Sequence, residues 1–283
     1  TAGSVKIDGS NLGSALAGTI PATKISANTA RGFSIVGYEA TGSAGTIAHG
    51  LSAAPELIIV KHRDQSGTSW PVYYGDNTDY LLLNSSGSTT DSAQSWNDTS
   101  PTSTVFSVGV NGSDTNNSNG GSTIAYCFHS VSGYSKIGTF TGNGGSQAID
   151  VGFEPAWVML RRTNGGTWGI FDSLRGNSGS DRNLQMLAAN STATETTNSQ
   201  MTFSGNTFND NGYLSDNGTT VLYMAFADTR EAAFFKDVTT NGNHFVPVNL
   251  DYRDSVPDTP TNNFATFNPL LFNANVYSEG NLK

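Results

Sequence analysis

The sequence predicts an all-β fold of two tandem, jelly-roll-like β-sandwiches. Three observations carry that expectation. Short apolar runs such as Leu57-Ile58-Ile59-Val60 are separated by turn-forming residues at intervals of about 8–12 residues, the spacing of strands in sandwiches. Charged residues make up only 13% of the 283 residues and hydrophobic ones 36%, with 32 glycines; helical domains carry more Glu, Lys, Leu and Ala. Finally, a set of segments recurs in one order at an offset near 100. Gly32-Phe33-Ser34-Ile35-Val36-Gly37 returns as Gly133-Tyr134-Ser135-Lys136-Ile137-Gly138. Pro55-Glu56-Leu57-Ile58-Ile59-Val60-Lys61 returns as Pro155-Ala156-Trp157-Val158-Met159-Leu160-Arg161, and Ile124-Ala125-Tyr126-Cys127-Phe128 as Leu222-Tyr223-Met224-Ala225-Phe226. The period is that of a small domain, so the expectation is an internal duplication.

In chain order, residues 1–31 hold a thin apolar pattern (Val5, Ile7, Leu12, Leu16, Ile20, Ile25) among Gly, Ser, Ala and Thr. Such a segment buries too little alone to stay ordered, so it reads as a fibre-like oligomerisation segment covered by neighbouring chains. Residues 32–130 form the first sandwich, with strands expected at 57–60, 72–74, 80–83, 104–108 and 123–128. The run at 57–60 is too short for a helix and has no polar alternation, as in a central strand. Residues 131–230 form the second sandwich. Within it, 208–214 reads as a hairpin with an Asn-Gly turn, and Asp216-Asn217-Gly218 as a second turn. Residues 231–283 hold Pro257, Pro260 and Pro269. Each proline biases its predecessor away from helix, so this stretch reads as an extended linker toward a possible further domain. The chain opens at Thr1 with no signal-peptide pattern, which suggests a processed product or a piece of a longer polypeptide.

Net charge is −9, with 14 Lys and Arg in all. Without a basic cluster, nucleic-acid binding is not expected, and no apolar run is long enough for a membrane helix. The single cysteine, Cys127, sits in an apolar strand and reads as a core thiol. His49, His62, His129 and His244 fall at no metal-ligand spacing. The Asp- and Asn-rich loops 76–79, 206–212 and 216–218 miss the EF-hand spacing and read as turns. The carboxylates Glu39, Asp64, Asp76, Glu154 and Asp172 show no pairing that one sequence can reveal. No catalytic residue, metal site or cofactor is therefore expected. Aromatic side chains remain as binding candidates, because sugar faces stack on rings. Trp70 and Trp168 recur in both halves and read as core or interface. Trp96 has no counterpart and is flanked by polar residues, so Trp96, Asn97 and Asp98 form the candidate ligand-binding site.

The segment Asp258-Thr259-Pro260-Thr261-Asn262-Asn263-Phe264-Ala265-Thr266-Phe267-Asn268-Pro269-Leu270 resembles an element of tail-fibre and appendage proteins of marine bacteriophages, cyanophages especially. Thr259 and Phe267 depart from the commonest residues of that element. The opening Gly32 to Tyr38 and the strand Ala53 to Lys61 are similar to β domains of the same proteins, so the resemblance covers roughly residues 32–270. It implies a virion structural protein of the phage tail, homotrimeric and without catalytic residues. Such a protein contributes to host attachment through weak, multivalent contacts with surface glycan or lipopolysaccharide, and its partners are its own copies and other virion proteins. Rival readings are a lectin-like carbohydrate-binding module, a capsid decoration protein and a polysaccharide depolymerase.

Overall fold

The computed structural model describes residues 5–12, 16, 18–110, 117–118, 120–173, 175, 185–197, 201–212 and 214–228. The chain divides into two compact units, Thr1–Ala227 and Asp228–Lys283, and of the second only Asp228 is described. The linker expected over 231–283, with the Asp258-to-Leu270 element and His244, lies outside the described residues.

The first half runs β1 (Val5–Ile7), β2 (Ser10–Asn11), β3 (Ala22–Asn28), β4 (Phe33–Glu39), β5 (Gly45–Ala48), β6 (Leu57–His62), β7 (Pro71–Tyr73), β8 (Asp79–Leu82) and β9 (Thr90–Asp91). A single helical turn, α1 (Ala93–Trp96), then leads to β10 (Val105–Val108) and β11 (Ser122–Phe128). One large sheet has the order β2-β1-β3-β4-β11-β6-β7-β8-β9, and β5 with β10 forms a small second sheet. The second half runs β12 (Ser135–Thr141), β13 (Ser146–Asp150), β14 (Pro155–Arg162), β15 (Gly169–Asp172), β16 (Gln185–Ala188), β17 (Thr196–Thr197), β18 (Met201–Ser204), β19 (Thr207–Asn211) and β20 (Thr220–Ala227). Its large sheet has the order β12-β20-β14-β15-β16-β17, faced by the small sheet β13-β19-β18. Strand for strand, β4-β11-β6-β7-β8-β9 and β12-β20-β14-β15-β16-β17 follow one order.

The apolar residues separate into three cores. Val36, Tyr38, Ile58, Val60, Ala125 and Cys127 of the first large sheet pack on Ile47, Phe106 and Val108 of the small one. Val158, Leu160, Val221, Tyr223 and Ala225 pack likewise with Met201 and Phe208. The third core lies between the two large sheets. Leu57, Ile59, Val72, Tyr74 and Leu81 meet Ile137, Met159, Trp168, Leu222 and Met224, five buried residues from each half. Alternation therefore holds within the continuous apolar runs: Ile58 and Val60 face the first core, Leu57 and Ile59 the third. At roughly 1.5–3 kcal/mol for each large apolar side chain fully buried, this seam joins the halves into one body. Trp168 Nε1 adds a hydrogen bond across it to the Leu82 carbonyl, at 2.9 Å.

The described residues of the 1–31 segment pack on the chain's own first sandwich. β3 pairs antiparallel with β4, β1 pairs parallel with β3, and Val5, Ile20, Ala22, Ile25 and Ala27 are buried in the first core. The thin apolar pattern suffices because it only has to extend a sheet that already has a core. Asp8 fastens the segment, accepting from Thr29 N at 2.7 Å and Thr29 Oγ1 at 2.6 Å. The hairpin expected at 208–214 lies earlier. β18 and β19 turn at Gly205, whose φ is +54°, while Asn211-Gly212 ends the second strand. The Asp216 turn is present, closed by Thr219 N to Asp216 O at 3.0 Å.

Pairing also fixes which residues of the halves correspond. Val36 lies opposite Ala125 in the first sheet and Gly138 opposite Tyr223 in the second. Ala125 and Tyr223 occupy the same place in their repeated segments. Gly138 is thus the counterpart of Val36, one residue off the match that the two glycine-led openings suggest. The extra residue is absorbed after Gly133, where Val131 bridges to Ser135. A Cβ on Gly138 would lie 2.9 Å from the Tyr223 hydroxyl, so glycine and a large ring fill the volume that valine and alanine fill in the first half. Gly138→Val is therefore expected to destabilise the protein by roughly 1–3 kcal/mol through overpacking. Combined with Tyr223→Ala, it should cost clearly less than the sum of the single changes. Urea denaturation of the four proteins measures this coupling, and strict additivity would contradict the assignment.

Candidate functional site

The candidate site is built on α1 and the residues that follow it. Ser92 caps the turn, its Oγ accepting from Gln94 N at 3.3 Å. Asn97 ends it in a left-handed conformation with φ +55°, and Asp98 follows with φ +44°, a region Asn and Asp tolerate better than other residues with side chains. The loop 76–78 is tied alongside by Asn77 Nδ2 to Asp98 O at 3.0 Å. This geometry divides the expected trio. Asn97 and Asp98 are exposed, but Trp96 is 1% exposed and belongs to the first core. Its ring meets Tyr73 edge-on, with centroids 5.5 Å apart. The expectation of an exposed stacking ring is corrected: the C-terminal end of α1 faces inward, and Ser95 and Trp96 are both buried there. Its Nε1–H has no hydrogen-bond partner among the described residues.

Of the other candidate carboxylates, Asp64, Asp76 and Asp172 are engaged in structural contacts. Asp76 Oδ1 accepts from Thr78 N at 3.0 Å and Thr78 Oγ1 at 2.8 Å, an Asx turn. Asp79 accepts from the Tyr74 hydroxyl, Asp210 from Leu214 N, and Asp64 from Ser122 N. Asp216 pairs with Arg162, and Arg175 bridges Asp172 and Glu195. Among the described residues, no group of three or more His, Cys, Asp or Glu is placed to hold a metal ion. Cys127 is fully buried, and burial pushes its thiol up to about 12, with a weaker opposing hydrogen bond from Ser34. A thiol in that state is no nucleophile at neutral pH.

Trp168 is fully buried in the third core, and Trp70 packs against its rim. Each carries a cation: Lys61 Nζ stands 5.7 Å from the Trp70 ring and Arg161 Cζ 5.6 Å from the Trp168 ring. Arg161 is fully buried. Its Nη2 donates to the Gly87 carbonyl across the seam, while Nε and Nη1 have no partner among the described residues. Burial, and then neighbouring Arg162, lower its pKa to about 10. Lys61 and Arg161 occupy equivalent positions at the ends of the repeated apolar runs, so the sequence itself carries this signal.

A cleft of about 300 Å³ opens where the halves meet. It is lined by Pro55, Glu56, Tyr73, Tyr74 and Pro101 of the first half and by Ile137, Gly138 and Thr139 of the second. Glu56 is held there, one carboxylate oxygen accepting from Ser130 N at 2.5 Å. Burial raises the pKa of both tyrosines; Ser100 opposes this at Tyr73, and the Asp79 and Asp76 charges reinforce it at Tyr74. Both phenols are neutral at physiological pH. Sequence reasoning missed this cleft because it exists only once the two halves are stacked.

The fold defines a class, an all-β protein of two sandwiches stacked through their large sheets. The chain belongs to the family described as a domain of unknown function, DUF7483, whose model matches residues 8–230. No curated protein matches it. Among solved structures, the major capsid protein P2 from bacteriophage PM2 aligns at 12% identity and a TM-score of 0.20, over 67% of this chain and 94% of that one. A likeness so slight carries no structural argument.

Two outcomes follow from the burial pattern. Trp96→Ala is expected to cost about 3–5 kcal/mol of stability, read by urea denaturation; a near-neutral effect would contradict core burial. His49, fully buried, accepts from Leu51 N at Nδ1 and has Nε2 3.1 Å from the Thr102 carbonyl, which fixes the neutral Nε2–H tautomer. Burial, as the largest cause, lowers its pKa below the usual 6.5. Above about pH 6.5 the imidazole is neutral in both folded and unfolded chains and contributes no pH dependence. Below it, the unfolded chain takes a proton that the folded one resists, so stability falls. Thermal unfolding between pH 7.5 and 5.5 should show that fall, and His49→Gln should flatten it.

Proposed function

We propose that this protein is a structural component of a phage virion: a tail fibre or related appendage, assembled as a homotrimer, that contributes to host attachment. The observation that carries the proposal is the resemblance of Asp258 to Leu270, and of the two strand openings upstream, to marine phage appendage proteins. The internal likeness is read here as a duplication, and one strand order in both large sheets supports that reading.

The role is mechanical and adhesive, not catalytic. Several candidate carboxylates are spent on turns and ion pairs, and two stacked sandwiches with a common seam make a stiff module. Trp96 is withdrawn from any part in ligand stacking. Contacts with glycan or lipopolysaccharide fall to exposed loop residues such as Asn97 and Asp98, each weak and multiplied by the number of copies. The partners are two further copies of the chain and other virion proteins.

Imaging of the intact particle, with an antibody against residues 1–228 as label, tests the placement; label on the capsid and none on the tail would reject the fibre. Light scattering tests the assembly. The expected mass is about three times 29.7 kDa, and a stable monomer at micromolar concentration would reject the trimer.

A further inference from the structure

We propose that the outer edge of β12 receives an extended strand from a partner protein, with a lysine or arginine of that strand seated against Glu56. The first sheet shows what such an edge takes. There β3 lies antiparallel on β4, with Ile25 and Ala27 in the core and Lys24 on the opposite face beside Gly37. The second sheet ends at the corresponding strand: among the described residues, no strand pairs with the far side of β12, and only the single bridge from Val131 to Ser135 touches it.

Odd-numbered residues of β12 direct their backbone groups away from β20. The first two donors are taken, Ser135 N by Val131 O at 2.9 Å and Ile137 N by Ser130 Oγ at 3.0 Å. Thr139 and Thr141 have no such partner among the described residues, which leaves a short open stretch of the kind that strand addition uses.

The cleft supplies specificity at that stretch. Gly37 lies opposite Ile124, and Thr139 opposite Leu222, the counterpart of Ile124. Thr139 therefore corresponds to Gly37. A strand laid on β12 in the register of β3 sets its lysine beside Thr139, on the face that carries Ile137 and opens toward Glu56, Tyr73, Tyr74 and Pro101. Ser130 N binds one oxygen of Glu56, and the other is available to a cation. The net charge of −9 favours approach of a basic segment.

The probe is a capped peptide with the sequence of Ala22–Asn28, titrated into the full chain by calorimetry and by amide hydrogen exchange. Saturable binding with new protection at the Thr139 and Thr141 amides is expected. Thr139→Pro removes a donor that faces away from β20, so the sheet is kept and binding should be lost. Glu56→Gln, or glutamine in place of the peptide lysine, should weaken binding roughly threefold. Absence of binding overturns the proposal. So does binding that neither variant alters, which would mean exchange with β3 on β4. Should Thr139→Pro fail to fold, the amide protection and the Glu56→Gln titration decide the question.

Discussion

The fold depends on the central strands of each large sheet being buried on both faces. A lone sandwich leaves the outer face of each sheet to water, and its strands alternate apolar with polar. Here the outer faces of two sheets cover one another, so β6, β14 and β20 carry apolar residues at every position through their centres. The small sheets close the remaining inner faces. Without the seam, Leu57, Ile59, Met159, Leu222 and Met224 would form an exposed apolar sheet on each half, an aggregation surface in any soluble protein.

Much of this was legible. The continuous run Leu57 to Val60 marks a strand buried on two sides, and the repeated segments mark two halves with one architecture. What covers the second side was not legible, because periodicity within one strand carries no information about the partner sheet. The register of β12 was misjudged by one residue for a related reason. Gly37 and Gly138 match as letters, yet one leaves room beside Lys24 and the other beside Tyr223. That Val5, Ile20 and Ile25 join the first core was not legible either, because a strand that only extends an existing sheet needs few apolar side chains of its own.

The candidate site was legible only as loop chemistry. Asn97 and Asp98 lie where turn-forming residues belong, at the surface and in left-handed conformations. Trp96 was misplaced because its polar neighbours Ser95 and Asn97 suggest exposure, whereas Ser95 is itself buried beside it and only Asn97 is at the surface. The cleft at Glu56 joins residues more than 80 positions apart and has no local signature.

The bonds at the seam have a consequence for biosynthesis. Trp168 and Arg161 of the second half both reach carbonyls of the first, at Leu82 and Gly87, whereas Lys61 bonds Thr68 within its own half. Stacking of two first halves from different chains would lack both bonds. Neither bond can form until the second half exists. At translation rates of about 5–20 residues per second, the first half waits roughly 5–20 s with Leu57, Ile59 and Val72 facing water. In that interval the uncovered apolar face is the part of the nascent chain most open to wrong association.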